Sequence, residues 1–173
     1  MDKDTPSWLP ELILFENYKG NWDAYVDTIY QYFHADFIRN RTSFQRAPIF
    51  VRHHPSHDKK GATFWHLISE GDLESERTPD LRRCERIRWP KPIIESPNTI
   101  NIRIWETVRP WKNQKQRRII FAPDNFSYIV VIAETSRGFN LITAYCVEKP
   151  HQRQKLRKEF EAFSKQKKEG AAV

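Results

Sequence analysis

In the stretch FWHLISEG, residues 64–71, a lone histidine sits between a tryptophan and a leucine, and Arg77, Arg82, Arg83 and Arg86 follow soon after. An imidazole titrates near neutrality, so His66 can take or give a proton. Guanidinium groups match two phosphate oxygens at once and hold them more strongly as charge builds there. Together these side chains supply the parts for cutting RNA without a cofactor: a base for the 2′-hydroxyl, an acid for the leaving 5′-oxygen, and cations for the charge on phosphorus. The competing reading is that His66 is a satisfied core residue packed between aromatics.

A second constellation lies in GFNLITAYCV. Strand alternation sends Ile142, Ala144 and Cys146 one way, toward a helix-covered face, and Leu141, Thr143 and Tyr145 the other. In TINIRIWETV the same alternation can present Arg103 and Trp105 beside that hydroxyl and phenol. A shallow face bearing these groups suits a stacked base and a phosphate. A half-exposed face of ordinary β-formers fits the pattern equally well. Three histidines in HHPSHDKKG, His53, His54 and His57, raise a metal site, but no further ligand has suitable spacing. Neither a metal nor a cofactor is expected.

Twenty-nine Lys and Arg against 22 Asp and Glu give a formal charge of +7, which makes a polyanion such as RNA the expected partner. Cys84 and Cys146 are too few for a disulfide framework and are read as reduced structural thiols. The chain shows no apolar run of membrane-spanning length, and its start, MDKDTPSWLPE, lacks the pattern of a signal peptide. A cytoplasmic protein without a membrane partner is the expectation.

The elements that must position these groups form an α+β domain. Residues 1–59 read as an N-terminal helical extension, 60–165 as the core, and 166–173 as a frayed tail. Trp22, Tyr25, Val26, Ile29, Tyr30, Phe33 and Phe37 fall three and four apart, the stripe of an amphipathic helix. Pro48–Val51 reads as a short strand. ATFWHLISEG reads as a helix stopped by Gly71, with His66 and Glu70 on one face. Asp72–Pro79 reads as a loop; Thr78 and Pro79 then open a helix over DLRRCERIRW, with Leu81, Cys84 and Ile87 inward and Pro90 and Pro92 as its end. From Ile100 the period changes to two, giving four strands joined by a basic turn at 110–116 and tight turns at 123–125 and 136–138. A basic helix after Pro150 carries Leu156, Phe160 and Phe163 on one side and fraying is expected from Lys165. The expected architecture is N-terminal helices packed on a four-stranded antiparallel meander with a C-terminal helix.

Two helices followed by this meander, ending in GFNLITAYCVEKPHQRQKLRKEF, resemble the superfamily that unites barnase, the EndoU nucleases, several tRNase colicins and RelE-type toxins. Phage and toxin members of that superfamily carry a final strand reading roughly F-x-x-T-A-Y and a histidine on an earlier helix. Here these correspond to Phe139–Tyr145 and His66, and the resemblance spans about residues 60–163. It implies a metal-independent endoribonuclease that leaves a 2′,3′-cyclic phosphate, with His66 as base or acid and Thr143 and Tyr145 as phosphate or leaving-group contacts. Arg82, Arg83 and Arg103 would be its cations, Arg83 the catalytic choice, with Arg86 and Trp105 added on the substrate. It also implies an antitoxin or immunity protein as a second partner. The chain departs from the EndoU branch in lacking a second histidine in register, which leaves Tyr145 and Glu85 as alternatives for the other proton. A non-catalytic RNA- or DNA-binding module and a protein-interaction scaffold are the rival functions.

Overall fold

The structure, a computed structural model, describes residues 6–71, 73–96 and 101–171. Its first regular element is a short 3₁₀ turn, Phe15–Tyr18, followed by α1, Trp22–His34. The Asn21 side chain caps α1 by accepting the Ala24 N–H at 3.1 Å. The helix continues through a π-helical turn, Ala35–Arg39, which keeps Phe37 on the buried side with Tyr25, Val26, Ile29 and Phe33. The aromatic stripe is thus a packing face.

Two small hairpins follow, β1 (Ser43–Phe44) with β2 (Ala47–Phe50), then β3 (Ser56–His57) with β4 (Lys60–Gly61), and they lead into α2 (Ala62–Ile68). α2 stops before Gly71 because β5 (Ser69–Glu70) extends to pair with β6 (Thr78–Pro79). The Arg77 guanidinium holds this corner by donating to the carbonyls of His66 at 3.2 Å, Gly71 at 2.7 Å, and Ser69. Those bonds satisfy the orphan carbonyls of the helix end. Glu70 therefore does not share a helical face with His66.

Asp80, rather than Thr78, caps α3 (Leu81–Glu85), its carboxylate accepting the Arg82 N–H at 3.0 Å. Thr78 and Pro79 are taken up by β6 instead. Cys84 and Ile87 are buried as expected, but Leu81 is 43% exposed. Pro90 opens a new helix, α4 (Pro90–Glu95), where its missing N–H is harmless, instead of only ending the one before.

Four long strands come next: β7 (Ile102–Trp111), β8 (Gln114–Pro123), β9 (Tyr128–Thr135) and β10 (Gly138–Cys146). Ile100 and Asp72, both assigned from the sequence, lie outside the described residues. The expected basic loop at 110–116 shrinks to a tight turn, with Lys112 and Asn113 at φ 45° and 63°, so β7 and β8 stay paired out to Trp111 and Gln114. The sheet is not a four-stranded antiparallel meander. It is six-stranded and mixed, ordered β1-β2-β10-β9-β8-β7, because β2 joins β10 in parallel through Ile49 with Phe139 and Phe50 with Asn140. Gly138 permits that approach: a Cβ there would lie 2.4 Å from the Pro48 carbonyl oxygen, and its φ is +143°.

Each face of the sheet carries its own core. On the inner face Phe121, Val130, Ile132 and Leu141 pack with Ile29 and Phe33 of α1, Phe64 and Leu67 of α2, Cys84 of α3 and Ile93 of α4. On the outer face a smaller cluster of Trp105, Ile120, Phe126, Ile129 and Val131 is covered by Leu156, Phe160 and Phe163 of α5 (Pro150–Gly170). α5 runs as helix to Gly170, beyond Lys165, where fraying was expected.

Candidate nucleic-acid interface

The placement of Thr143 and Tyr145 depends on one irregularity. The β10–β9 register shifts between Leu141 and Thr143, a β-bulge that inserts an extra residue. Leu141 therefore joins Ala144 and Cys146 on the inner face, while Ile142 joins Thr143 and Tyr145 on the outer one. Strict alternation had Leu141 and Ile142 reversed. It also left the Thr143 side of the sheet open, whereas this is the side that α5 covers.

α5 does not cover all of it. A groove of about 370 Å³ lies between α5 and the sheet, lined by Thr107, Arg109, Arg118, Ile120, Ile129, Val131, Thr143, Tyr145, Val147, Gln152, Lys155, Leu156 and Glu159. Strand register explains the convergence: Thr107 pairs with Arg118, Ile120 with Val131, Val131 with Thr143, and Ile129 with Tyr145, so adjacent rows of outward side chains meet on this face. Arg109, Arg118 and Lys155 face a single carboxylate, Glu159. Two threonine hydroxyls, a phenol and the Gln152 amide supply directed hydrogen-bonding groups.

Arg118 is the most telling cation in the groove. Its Nε donates to Gln116 Oε1 at 3.4 Å, and among the described residues it forms no ion pair. Burial, and then the neighbouring Arg109, hold its guanidinium below the usual arginine range. Two neighbouring arginines and Lys155 against the one lining carboxylate Glu159 leave positive charge in excess, which favours an incoming anion. Its neighbour in sequence is fully matched: Arg117 points to the inner face, bonding Glu106 at 2.6 and 2.8 Å and Glu134 at 3.0 Å.

The expected site residues scatter around this groove. Arg83, on α3, does not line the groove but approaches it through Tyr145, its guanidinium carbon 5.7 Å from the centre of that ring. Arg83 Nε and Nη1 are buried without hydrogen-bond partners, and Nε lies 3.6 Å from Asp80 Oδ2. Burial pushes the Tyr145 phenol up, Arg83 pulls it back down, and Glu159 adds to the rise. Arg82 pairs with Glu148 beside the groove. Arg86 is buried, donating to the Arg82 carbonyl at 3.2 Å and lying 5.0 Å from the Trp89 ring centre. Arg103 and Trp105 do share the outer face, but beneath α5: Trp105 is 1% exposed with its ring 6.1 Å from Phe160, and Arg103 lies over the same Phe160 ring at 5.9 Å. Trp105 is core rather than a substrate surface, because the C-terminal helix was expected on the other face.

His66 is half-buried on α2, whose packing residues Phe64, Leu67 and Ile68 belong to the inner core. The sheet therefore separates that helix from Thr143 and Tyr145. Glu85 is also on the inner side, its carboxyl raised by burial and pulled back by Arg86, with its backbone carbonyl accepting the Ile13 N–H at 3.0 Å. Burial pushes the Cys84 thiol up to about 12 and raises Cys146 as well, which disfavours the nucleophilic thiolate in both. Among the described residues no cluster of three or more His, Cys, Asp or Glu is placed to hold a metal ion.

Sequence reasoning missed Thr107, Arg109, Arg118 and Lys155. The signal was present for the first two: alternation from Arg103 through Trp105 continues to Thr107 and Arg109 once the strand is carried past Val108. A larger cavity, about 560 Å³, lies beside Trp105 and Phe163. Its cations Arg46 and Lys167 are balanced by Glu95 and Glu106, so it offers an anion no net attraction. Comparison with protein-family models, with curated proteins and with solved structures finds no match to this chain. The superfamily resemblance accordingly rests on the residues quoted for it above.

Proposed function

We propose that this chain binds RNA in the groove between α5 and the outer face of the sheet. The observation that carries this reading is the excess of positive charge, Arg109, Arg118 and Lys155 against the one lining carboxylate Glu159, beside Thr107, Thr143 and Tyr145 in a groove of about 370 Å³. The hydroxyls and the amide offer contacts to ribose and base edges, and the cations hold phosphate. α5 extends the field beyond the groove, since Arg153, Arg157, Lys158, Lys165, Lys167 and Lys168 outnumber its carboxylates Glu159, Glu161 and Glu169.

A second reading, metal-independent RNA cleavage, is favoured by one observation: Arg83 and Tyr145 adjoin in a buried setting that keeps the phenol protonated. A protonated phenol can donate to a leaving 5′-oxygen, with Arg83 holding the charge on phosphorus. That chemistry also needs a base for the 2′-hydroxyl, and among the described lining residues the one carboxylate, Glu159, is shared by Arg109, Arg118 and Lys155. Binding without cleavage is the function the geometry supports best.

The test is to mix purified protein with fluorescent RNA in the presence of a chelator, then to follow anisotropy and run the product on a denaturing gel. Salt-sensitive binding of RNA that stays intact is the expected result. Products ending in a 2′,3′-cyclic phosphate, lost in Tyr145→Phe, would establish the second reading, and absence of binding at low salt would reject both.

A further inference from the structure

The β7–β8 hairpin continues the outer face past the end of the groove. Along β7 the residues Thr107, Arg109 and Trp111 point to one side, and their partners across the strand pair are Arg118, Gln116 and Gln114. Trp111 lies four residue steps along the strand from Thr107, about 13 Å at the usual rise. Trp111 is 49% exposed and lies at the tight turn, with the Lys112 ammonium 5.8 Å from its ring centre. Within 108–118, VRPWKNQKQRR, there are five cations and no acid. Only Arg117 among these finds carboxylates in the described residues, and it faces the other side.

A tryptophan half in water at a basic hairpin tip has two physical roles open to it. It can cover its own hairpin, or it can offer a flat face to a partner. The other five tryptophans are at least partly buried against the cores, and Trp65 and Trp89 use their indole N–H groups on backbone carbonyls. Trp111 shares the outer face with Arg109 and Arg118 and, unlike Trp105 on that face, is exposed.

We propose that Trp111 is a base-stacking platform and that the RNA bound in the groove is single-stranded. This rests on the binding reading above and adds a substrate class and a subsite to it. Arg109 and Arg118 hold the phosphates of a strand leaving the groove, and an unpaired base of that strand lies on the Trp111 ring. A duplex keeps its bases stacked on one another and has none to offer, whereas every single-stranded base has a free face.

The experiment compares wild type, Trp111→Ala, Trp111→Phe and Arg118→Ala for anisotropy binding to a labelled 12-nucleotide RNA, alone and annealed to its complement, over a salt series. Thermal melts accompany each variant to confirm folding. Loss of a stacked base should weaken single-strand binding about tenfold in Trp111→Ala. Trp111→Phe should recover most of it, and the slope of log affinity against log salt should stay at the wild-type value, because no charge was removed. Arg118→Ala should instead flatten that slope by about 0.7. A loss below twofold in Trp111→Ala, or an equal loss on duplex and single strand, overturns the proposal while leaving groove binding intact. Failure of folded wild type to bind either probe overturns the groove reading and this subsite together.

Discussion

On the inner face of the sheet Phe33, Phe64 and Phe121 are each no more than 2% exposed, and four helices close over them. On the outer face one helix of 21 residues contributes no fully buried side chain, touches the sheet through Leu156, Phe160 and Phe163, and leaves a charged groove beside it. The first arrangement is what stability requires: close packing with little room for an unpaired charge. The second keeps an exposed Arg109 beside a half-buried Arg118 with Glu159 as the one carboxylate among the described lining residues, which adds nothing to folding and suits an anion. The same four strands serve both purposes because successive side chains point to opposite faces.

The contrast can be broken by mutation. Phe121→Ala, in the inner core, should lower unfolding free energy by about 3–5 kcal/mol in urea titration. Phe160→Ala should cost about 2 kcal/mol, since that ring is only half-buried, and should change RNA binding because α5 forms one wall of the groove. Equal losses would mean that α5 is as firmly docked as the N-terminal helices. The smallest effect belongs to Glu106. Hydrogen bonding to Arg117 holds its carboxyl below the usual range. A depressed folded pKa contributes stability that is present above the ordinary carboxylate value and lost as pH falls through the folded one. Both side chains are over a third exposed, at 35% and 37%, so Glu106→Gln should cost less than about 1 kcal/mol near neutrality and flatten the acid-side decline in melting temperature.

Local periodicity carried much of this fold. The aromatic spacing of α1, the period-two runs of β7–β10 and the proline that opens α5 each reported an element whose cause is local. Long-range features left no such trace. The parallel pairing of Ile49 and Phe50 with Phe139 and Asn140 joins segments some 90 residues apart, and only Gly138 hints at the close approach. α2 ends early because Arg77, nine residues beyond Ile68, captures its carbonyls. The bulge after Leu141 reversed two side chains and hid which face α5 would cover. For the site, Thr143, Tyr145 and Arg83 were legible by residue type and do adjoin the groove. His66 drew notice by its chemistry, but its helix packs on the inner core, a fact of tertiary placement that FWHLISEG does not encode.

The central claim, that the outer groove rather than the His66 helix meets RNA, is tested most directly by measuring RNA affinity against salt for Arg118→Ala and His66→Ala side by side. Arg118→Ala should bind about tenfold more weakly at low salt with a slope shallower by about 0.7, and His66→Ala should bind as wild type does. Unchanged binding by Arg118→Ala together with weakened binding by a folded His66→Ala would contradict it.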